Sequence, residues 1–195
     1  MKQMSEPRRS NERVVFLPQL LVKQKLTLMV NRFEVIEPGE NRLVAFAEQK
    51  RLKLKEEVTF SRDAKKSRVL FSMKSRGVLD STSRTDILDA SGNAMASIQM
   101  KLTASIVRST WHLQYGGRTA IGQERSLIRG LLRRFFDVAL AYHFDFTDTE
   151  TGETVLSVDR KRSLADLYAV EVYDPQLDYR VAASVAVALD IFENR

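Results

Sequence analysis

The sequence predicts a mainly β chain of the α+β class, in which many short antiparallel strands surround one buried, apolar C-terminal helix. Two observations lead to this prediction. A pattern of alternating apolar residues, a turn and renewed alternation occurs four times, and the stretch VAASVAVALDI at 181–191 is apolar on nearly every side. Alternation with period two is typical of a strand with one buried face. A helix without a polar face has to be buried all round.

The repeated pattern is typical of β-hairpins. Its four copies are Arg32–Ala47, Arg84–Gln99, Ser109–Glu124 and Tyr142–Val158. A glycine stands in each turn where a positive φ angle is favoured, and these glycines are Gly39, Gly92, Gly117 and Gly152. Further strands are predicted by the runs LLVKQKLTLMV, RLKLKEEVTF, RVLFSMKS, KLTASIV and LYAVEVYD. So many short antiparallel strands favour a sandwich or a barrel, and a closed barrel is the form that can hold an apolar helix inside.

The stretch 181–191 is too short to span a membrane, because a bilayer requires about 20 apolar residues. It lacks alternation, and its alanines are poor strand formers. Asp174 and Pro175 precede it and predict an N-cap followed by the first helical residue. We therefore predict a buried helix, whose eleven residues extend roughly 16 Å at about 1.5 Å per residue.

A second, short helix is predicted at Ser126–Asp137 (SLIRGLLRRFFD). Its apolar residues fall on one half of the helical wheel, whereas Arg129, Arg133 and Asp137 fall on the other half. Two interpretations remain open. The helix covers one end of the barrel with its apolar face, or it lies on an anionic membrane surface with Arg129 and Arg133 toward the headgroups.

Length and composition predict one domain, at 14–195, preceded by a flexible polar tail at 1–13. The chain has 195 residues and no cysteine, which excludes disulfides, thiol nucleophiles and thiolate metal sites. The first twelve residues lack the apolar region of a signal peptide. We expect a cytoplasmic protein that associates peripherally with a membrane and has no transmembrane segment.

Four segments, in this order, resemble the LURP-one-related proteins, which belong with the phospholipid scramblases and the tubby C-terminal domain. They are the hairpin region 32–60, the segment MKSRGVLDSTSRTDILDASGNAMASI at 73–98, the RSTWHL strand and the terminal VAASVAVALDIF helix. The resemblance covers nearly the whole chain from about Val14 onward. It implies a closed twelve-stranded barrel threaded by a hydrophobic C-terminal helix. For function, the resemblance implies binding of phosphoinositide headgroups, as in tubby domains, or the lipid movement and calcium associated with scramblases.

The sequence contains no GxGxxG, Walker, GxSxG or HExxH motif. We therefore expect no enzyme activity, no metal and no cofactor. DFTDTETGET at 145–154 lacks the residue order of a calcium loop and predicts a solvated hairpin turn. His112 and His143 lie in predicted strands beside aromatic residues, with no signature of a nucleophile or carboxylate partner. Both are interpreted as ordinary strand residues.

The candidate headgroup-binding residues are Arg51, Lys53, Lys55, Arg129 and Arg133. In a strand, the first three share one face, and a ladder of cations can clamp phosphates. The competing interpretation is that such a ladder keeps the outer wall soluble and discourages sheet pairing.

The net charge of +6 and a pI near 9.6 predict attraction to polyanions. The working hypothesis is a non-enzymatic binding domain that associates peripherally with anionic phospholipid headgroups. The alternative is a protein-interaction scaffold or a small-ligand carrier, with the charge serving solubility. The aromatic residues fall mainly at core-like alternating positions and not beside the basic clusters, which argues against nucleic-acid binding.

Overall fold

A computed structural model describes residues 13, 15–26, 30–50, 57–76, 84–102, 109–125, 143–161 and 167–193. Within these residues the chain forms twelve β-strands and one α-helix. The strands are β1 (Gln19–Leu26), β2 (Val30–Glu37), β3 (Arg42–Lys50), β4 (Glu57–Ser61), β5 (Val69–Ser75), β6 (Arg84–Asp89), β7 (Ala94–Leu102), β8 (Ser109–Tyr115), β9 (Arg118–Glu124), β10 (His143–Asp148), β11 (Thr154–Lys161) and β12 (Leu167–Val172). The helix is α1 (Tyr179–Glu193).

The sheet closes on itself as a barrel, as predicted. Each strand pairs antiparallel with its neighbour in sequence, and β1 pairs with β12 from Gln19↔Glu171 to Lys23↔Leu167. The four predicted hairpins are confirmed as β2–β3, β6–β7, β8–β9 and β10–β11. The predicted helix at 126–137 lies outside the described residues, and the division into a tail and one domain stays a prediction.

Three of the four turn glycines adopt the predicted positive φ: Gly92 at 84°, Gly117 at 84° and Gly152 at 74°. The prediction for Gly39 is wrong. In that turn Asn41 takes the left-handed conformation, with φ 48°, and its N–H donates to the carbonyl of Pro38. Asparagine is one of the few side chains that tolerate this conformation, so the glycine is not required for it.

The helix α1 occupies the barrel lumen. Every residue from Val181 to Leu189 is at most 2% exposed. The inward side chains that surround it alternate along the strands, as Phe144 and Phe146 do on β10. Barrel diameter grows with strand number, and eight strands leave room only for side chains. Twelve strands therefore enclose a lumen that side chains alone would not fill, and a slim helix of alanine and valine fits there.

The predicted helix start is wrong by four residues. Asp178 is the N-cap, because its Oδ1 accepts the N–H of Arg180 at 2.9 Å. Asp174 and Pro175 instead form a turn, in which the N–H of Leu177 donates to the carbonyl of Asp174 at 3.0 Å. Asp followed by Pro also suits the first two positions of a β-turn. The chain needs that turn to pass from the end of β12 into the lumen.

Polar side chains at both ends of the enclosed segment are hydrogen-bonded. Asp178 pairs with Arg180 at 2.9 Å, and its Oδ2 accepts the N–H of Val15 at 2.8 Å. At the other end, Asp190 accepts hydrogen bonds from Gln24 Nε2 at 2.5 Å and from the hydroxyl of Tyr168. Buried polar groups are tolerated when they are bonded in this way.

Burying a new charge in this helix tests the fold. Ala186 is 0% exposed. We expect Ala186→Asp to lower the free energy of unfolding by several kcal/mol or to abolish folding, because the lumen offers this carboxylate no partner. Ala90→Asp is the matched control, since Ala90 lies in an exposed turn. Thermal melts of both variants provide the measurement, and a near-normal melt for Ala186→Asp would show that α1 is not enclosed.

A glycine on β9 gives a second test. Gly122 faces Phe146 of β10, and a Cβ atom added to it would overlap the Phe146 ring, which is fully buried. We expect Gly122→Ala to cost about 1–3 kcal/mol in urea denaturation, because the ring has no space to move. Gly39→Ala meets no atom within 4 Å and should stay within about 1 kcal/mol of the parent chain. Equal effects of the two substitutions would contradict this packing.

Candidate functional site

Ligand sites have to be sought on the outer surface, since α1 and the inward side chains occupy the lumen. The sequence placed the candidate residues Arg51, Lys53, Lys55, Arg129 and Arg133 on that surface, but all five lie outside the described residues. The strand ends that flank both segments, at β3 and β4 and at β9 and β10, lie at the end of the barrel where α1 ends.

A cluster of cations that the sequence analysis missed lies at the opposite end of the barrel. The connection between β4 and β5, Arg62–Arg68, is named the basic loop here. It carries four exposed cations, Arg62, Lys65, Lys66 and Arg68, and a single acid. Four cations in seven residues are a compositional signal that the sequence already contained.

The basic loop is held in one conformation by its own hydrogen bonds. The N–H of Arg62 donates to the carbonyl of Arg68 at 2.9 Å. The Asp63 carboxylate accepts hydrogen bonds from the N–H of Ser67 at 3.2 Å and from the Ser67 hydroxyl at 2.5 Å. Lys66 has a φ of 57°, a left-handed conformation that costs a lysine about 1–2 kcal/mol. These bonds therefore compensate the backbone strain at Lys66.

The charges of the basic loop are only partly neutralised. The hydrogen bonds from Ser67 lower the pKa of Asp63, which keeps this carboxylate ionised. Lys66 Nζ lies 3.5 Å from Glu48 Oε1. Within the described part of the chain, Arg62, Lys65 and Arg68 form no ion pair. Three cations therefore remain available to an anionic partner.

Exposed apolar side chains border the basic loop. Val69 follows it directly and is 45% exposed, and Val15 is 46% exposed. Both line a depression of about 110 Å³ together with Arg68 and Tyr179. Phe16, next to Val15, is also exposed. The surface thus combines unpaired cations with apolar side chains.

A second concave surface lies on the other side of the barrel, between β9 and the segment after β12. It has a volume of about 520 Å³ and is named the outer cleft here. At one end, Asp174 Oδ2 accepts the Tyr115 hydroxyl at 2.8 Å and Arg118 Nη1 at 2.6 Å. Burial tends to raise the pKa of Asp174, but hydrogen bonds from the N–H of Gln176, Tyr115 and Arg118 outweigh it and lower the pKa. Burial, and then Asp174, raise the pKa of Tyr115.

Both histidines lie in strands, as predicted. His112 is on β8, and burial lowers its pKa. His143 is on β10 between Asp145, at 3.3 Å, and Asp159. Burial lowers the pKa of His143 more than the nearby carboxylate of Asp145 raises it.

The acidic stretch 145–154 contains the end of β10, the exposed hairpin turn at 149–153 and the first residue of β11, so the predicted solvated turn is confirmed. Asp148 Oδ1 accepts hydrogen bonds from the N–H groups of Glu150 at 2.8 Å and Thr151 at 3.0 Å. This carboxylate therefore stabilises the backbone of the turn. Among the residues that the structure describes, no cluster of three or more His, Cys, Asp or Glu is placed to hold a metal ion. In that same part of the chain, no helix is long and apolar enough to cross a membrane.

Comparisons with known proteins show a family model and a solved structure that are similar to this chain. A model of the LURP-one-related family matches residues 43–190. A crystal structure of a protein from Arabidopsis thaliana aligns with 92% of this chain and 93% of its own, at 13% sequence identity and a TM-score of 0.42. No curated protein matches the sequence.

The lowered pKa of Asp174 predicts a pH-dependent contribution to stability. A carboxyl whose pKa is depressed by folding stabilises the protein above its unfolded pKa, about 3.9. That contribution is lost as the pH falls through the folded pKa. We expect Asp174→Asn to cost about 1–3 kcal/mol near neutral pH, because Tyr115 and Arg118 lose a buried acceptor.

The difference between Asp174→Asn and the parent chain should shrink in strong acid, where the carboxyl is protonated in both states. Urea denaturation across this pH range measures it. Glu153→Gln is the control, since Glu153 is exposed beside the same cleft and should change stability by less than about 0.5 kcal/mol. A pH-independent difference, or none at neutral pH, would contradict the assigned network.

Proposed function

This chain belongs to the LURP-one-related family, and we propose that it is a non-enzymatic binding domain that associates peripherally with anionic phospholipid headgroups. The basic loop is the observation that carries the proposal. It presents Arg62, Lys65 and Arg68 without ion-pair partners among the described residues. Each Lys or Arg near an anionic bilayer contributes about 1 kcal/mol. The loop therefore supplies on the order of 3 kcal/mol at low salt, which suits reversible attachment.

The apolar border of the loop supports a membrane rather than a dissolved anion as the partner. Val15 and Val69 are exposed and line one depression together with Arg68. Apolar side chains that enter the boundary between headgroups and acyl chains add to electrostatic attraction. A soluble phosphate offers these side chains nothing to contact. The combination therefore favours a lipid surface.

Arg51, Lys53 and Lys55, with Arg129 and Arg133, remain an alternative contact surface for the same function. The strand ends that flank them, such as Lys50 and Glu57, lie at the far end of the barrel from the basic loop. The fifteen residues of α1 span roughly 22 Å between these ends. That distance exceeds the screening length of about 8 Å at physiological salt. One flat bilayer that contacts the basic loop therefore does not attract the other end, and the two surfaces are separable by mutation.

The arrangement around Ser157 supports the non-enzymatic part of the proposal. Ser157, His143 and Asp145 lie together on the outer wall. The Ser157 hydroxyl donates to Asp145 Oδ1 at 2.6 Å, and Arg125 binds the same carboxylate at 2.7 Å. A nucleophilic serine requires a base that accepts its proton, and an aspartate paired with arginine is a weak base.

Co-sedimentation with vesicles tests the proposal. The vesicles contain phosphatidylcholine alone or with rising fractions of phosphatidylserine. We expect binding that grows with phosphatidylserine and falls with salt. Lys65→Glu with Arg68→Glu should weaken binding about thirtyfold or more, because two contributions of about 1 kcal/mol are lost.

The matched control is Lys101→Glu with Lys161→Glu, which changes the net charge equally. Both lysines are exposed near the other end of the barrel, and this variant should bind like the parent chain. Loss of binding only in Lys53→Glu with Lys55→Glu would show that the basic loop is the wrong surface and the alternative the right one. An absence of salt-sensitive binding by the parent chain would overturn lipid association. Capture of a protein partner at high salt would then favour the scaffold function.

A further inference from the structure

The outer cleft has the size and composition of a ligand site that is independent of the basic loop. Its 520 Å³ falls within the roughly 300–1,000 Å³ typical of ligand pockets. Val155 and Ser157 of β11 line it at depth, since both are nearly fully buried. The β10–β11 turn that borders it lies six strands from the basic loop in either direction around the barrel. The two surfaces therefore face opposite sides of the molecule.

The charges of the ionised side chains that line the outer cleft sum to zero. They are Arg118, Arg125, Glu153 and Asp174. Arg118 pairs with Asp174 at 2.6 Å and with Asp148 at 3.4 Å. Arg125 binds Asp145 through Nε and Nη2, both at 2.7 Å. Because each guanidinium is already paired with a carboxylate, the cleft attracts an anion only weakly.

The same pairs leave oriented hydrogen-bonding groups toward the cleft. A guanidinium has five N–H donors in a rigid plane. Arg125 uses Nε and Nη2 on Asp145, and Nη1 is left to donate to a ligand. Glu153 supplies acceptors, and the hydroxyls of Thr151 and Thr154 both donate and accept. Donors mixed with acceptors complement hydroxyl groups, which also do both.

An aromatic ring stands beside these polar groups. Tyr173 is 51% exposed and lines the outer cleft. Its hydroxyl donates to Glu171 Oε2 at 2.6 Å, which fixes the orientation of the ring. Pro175 and Val155 extend the apolar surface next to it. A fixed, half-exposed ring next to polar groups suits a ligand with one apolar face and a polar edge.

We propose that the outer cleft binds a neutral carbohydrate of one or two sugar rings, whose C–H face packs on Tyr173 and whose hydroxyls bond to Arg125, Glu153 and the threonines. A sugar ring has one face of C–H groups and an edge of hydroxyls, and it carries no charge. These are the three properties that the lining requires. This binding does not rest on lipid association, because it uses the opposite side of the barrel and no net charge.

Saturation-transfer NMR on the full chain tests the inference, with a panel of neutral methyl glycosides and with glucuronate, glucosamine and methyl phosphate as charged comparators. We expect at least one neutral glycoside to bind with an affinity that salt does not change, whereas vesicle binding through the basic loop falls with salt. Tyr173→Ala should weaken that binding at least about tenfold, the equivalent of 1.4 kcal/mol. Tyr173→Phe keeps the ring and should retain binding within a few-fold.

Val69→Ala, on the opposite side of the barrel, is the control and should leave glycoside binding unchanged. Thermal melts show whether the Tyr173 variants remain folded, as expected for an exposed side chain. Saturation transfer to no neutral glycoside would overturn the proposal. Transfer only to methyl phosphate or to glucuronate would identify an anion site instead. Equal binding by Tyr173→Ala would show that the sugar binds elsewhere.

Discussion

The burial of α1 is the constraint on which the rest of the structure depends. Its residues 181–189 are alanine, valine, one leucine and one serine, and the serine hydroxyl bonds to the helix's own backbone. Such a helix is stable only when it is enclosed. An open sheet would leave one flank of it exposed, and closure between β1 and β12 covers that flank and also removes both sheet edges. The number of strands, the closure of the barrel and the small side chains of the helix therefore depend on one another.

Most of this fold could be predicted from the sequence, because the patterns that indicate it lie within single strands and within the helix. Alternation marks each strand, and uniform apolarity marks the helix. The errors lie where two local structures share one signature. Asp174 and Pro175 begin a turn as readily as a helix, and only the path from β12 into the lumen decides between them. In the β2–β3 hairpin, Asn41 and Gly39 both tolerate the left-handed conformation, and Asn41 is the residue that adopts it.

The candidate sites were far less predictable. The filled lumen restricts ligands to the outer surface, and the sequence of exposed residues is only weakly constrained by the fold. The outer cleft joins Arg118, Val155 and Tyr173, which are distant in sequence and become neighbours only when strands β9 to β12 align. The basic loop was visible as composition, but its backbone conformation, with the bonds to Asp63 and the left-handed Lys66, is not revealed by sequence patterns. The cations at 51–55, on which the sequence analysis relied, lie outside the described residues.

Native-state hydrogen exchange of the α1 amides tests the central claim most directly. In an enclosed helix, the amides of residues 183–189 cannot exchange until the barrel opens, because the sheet covers every side. Their exchange should therefore report the free energy of global unfolding and respond to urea with the full denaturant dependence. Exchange of these amides at a much lower free energy, through local opening of the helix while the strands stay protected, would contradict the account.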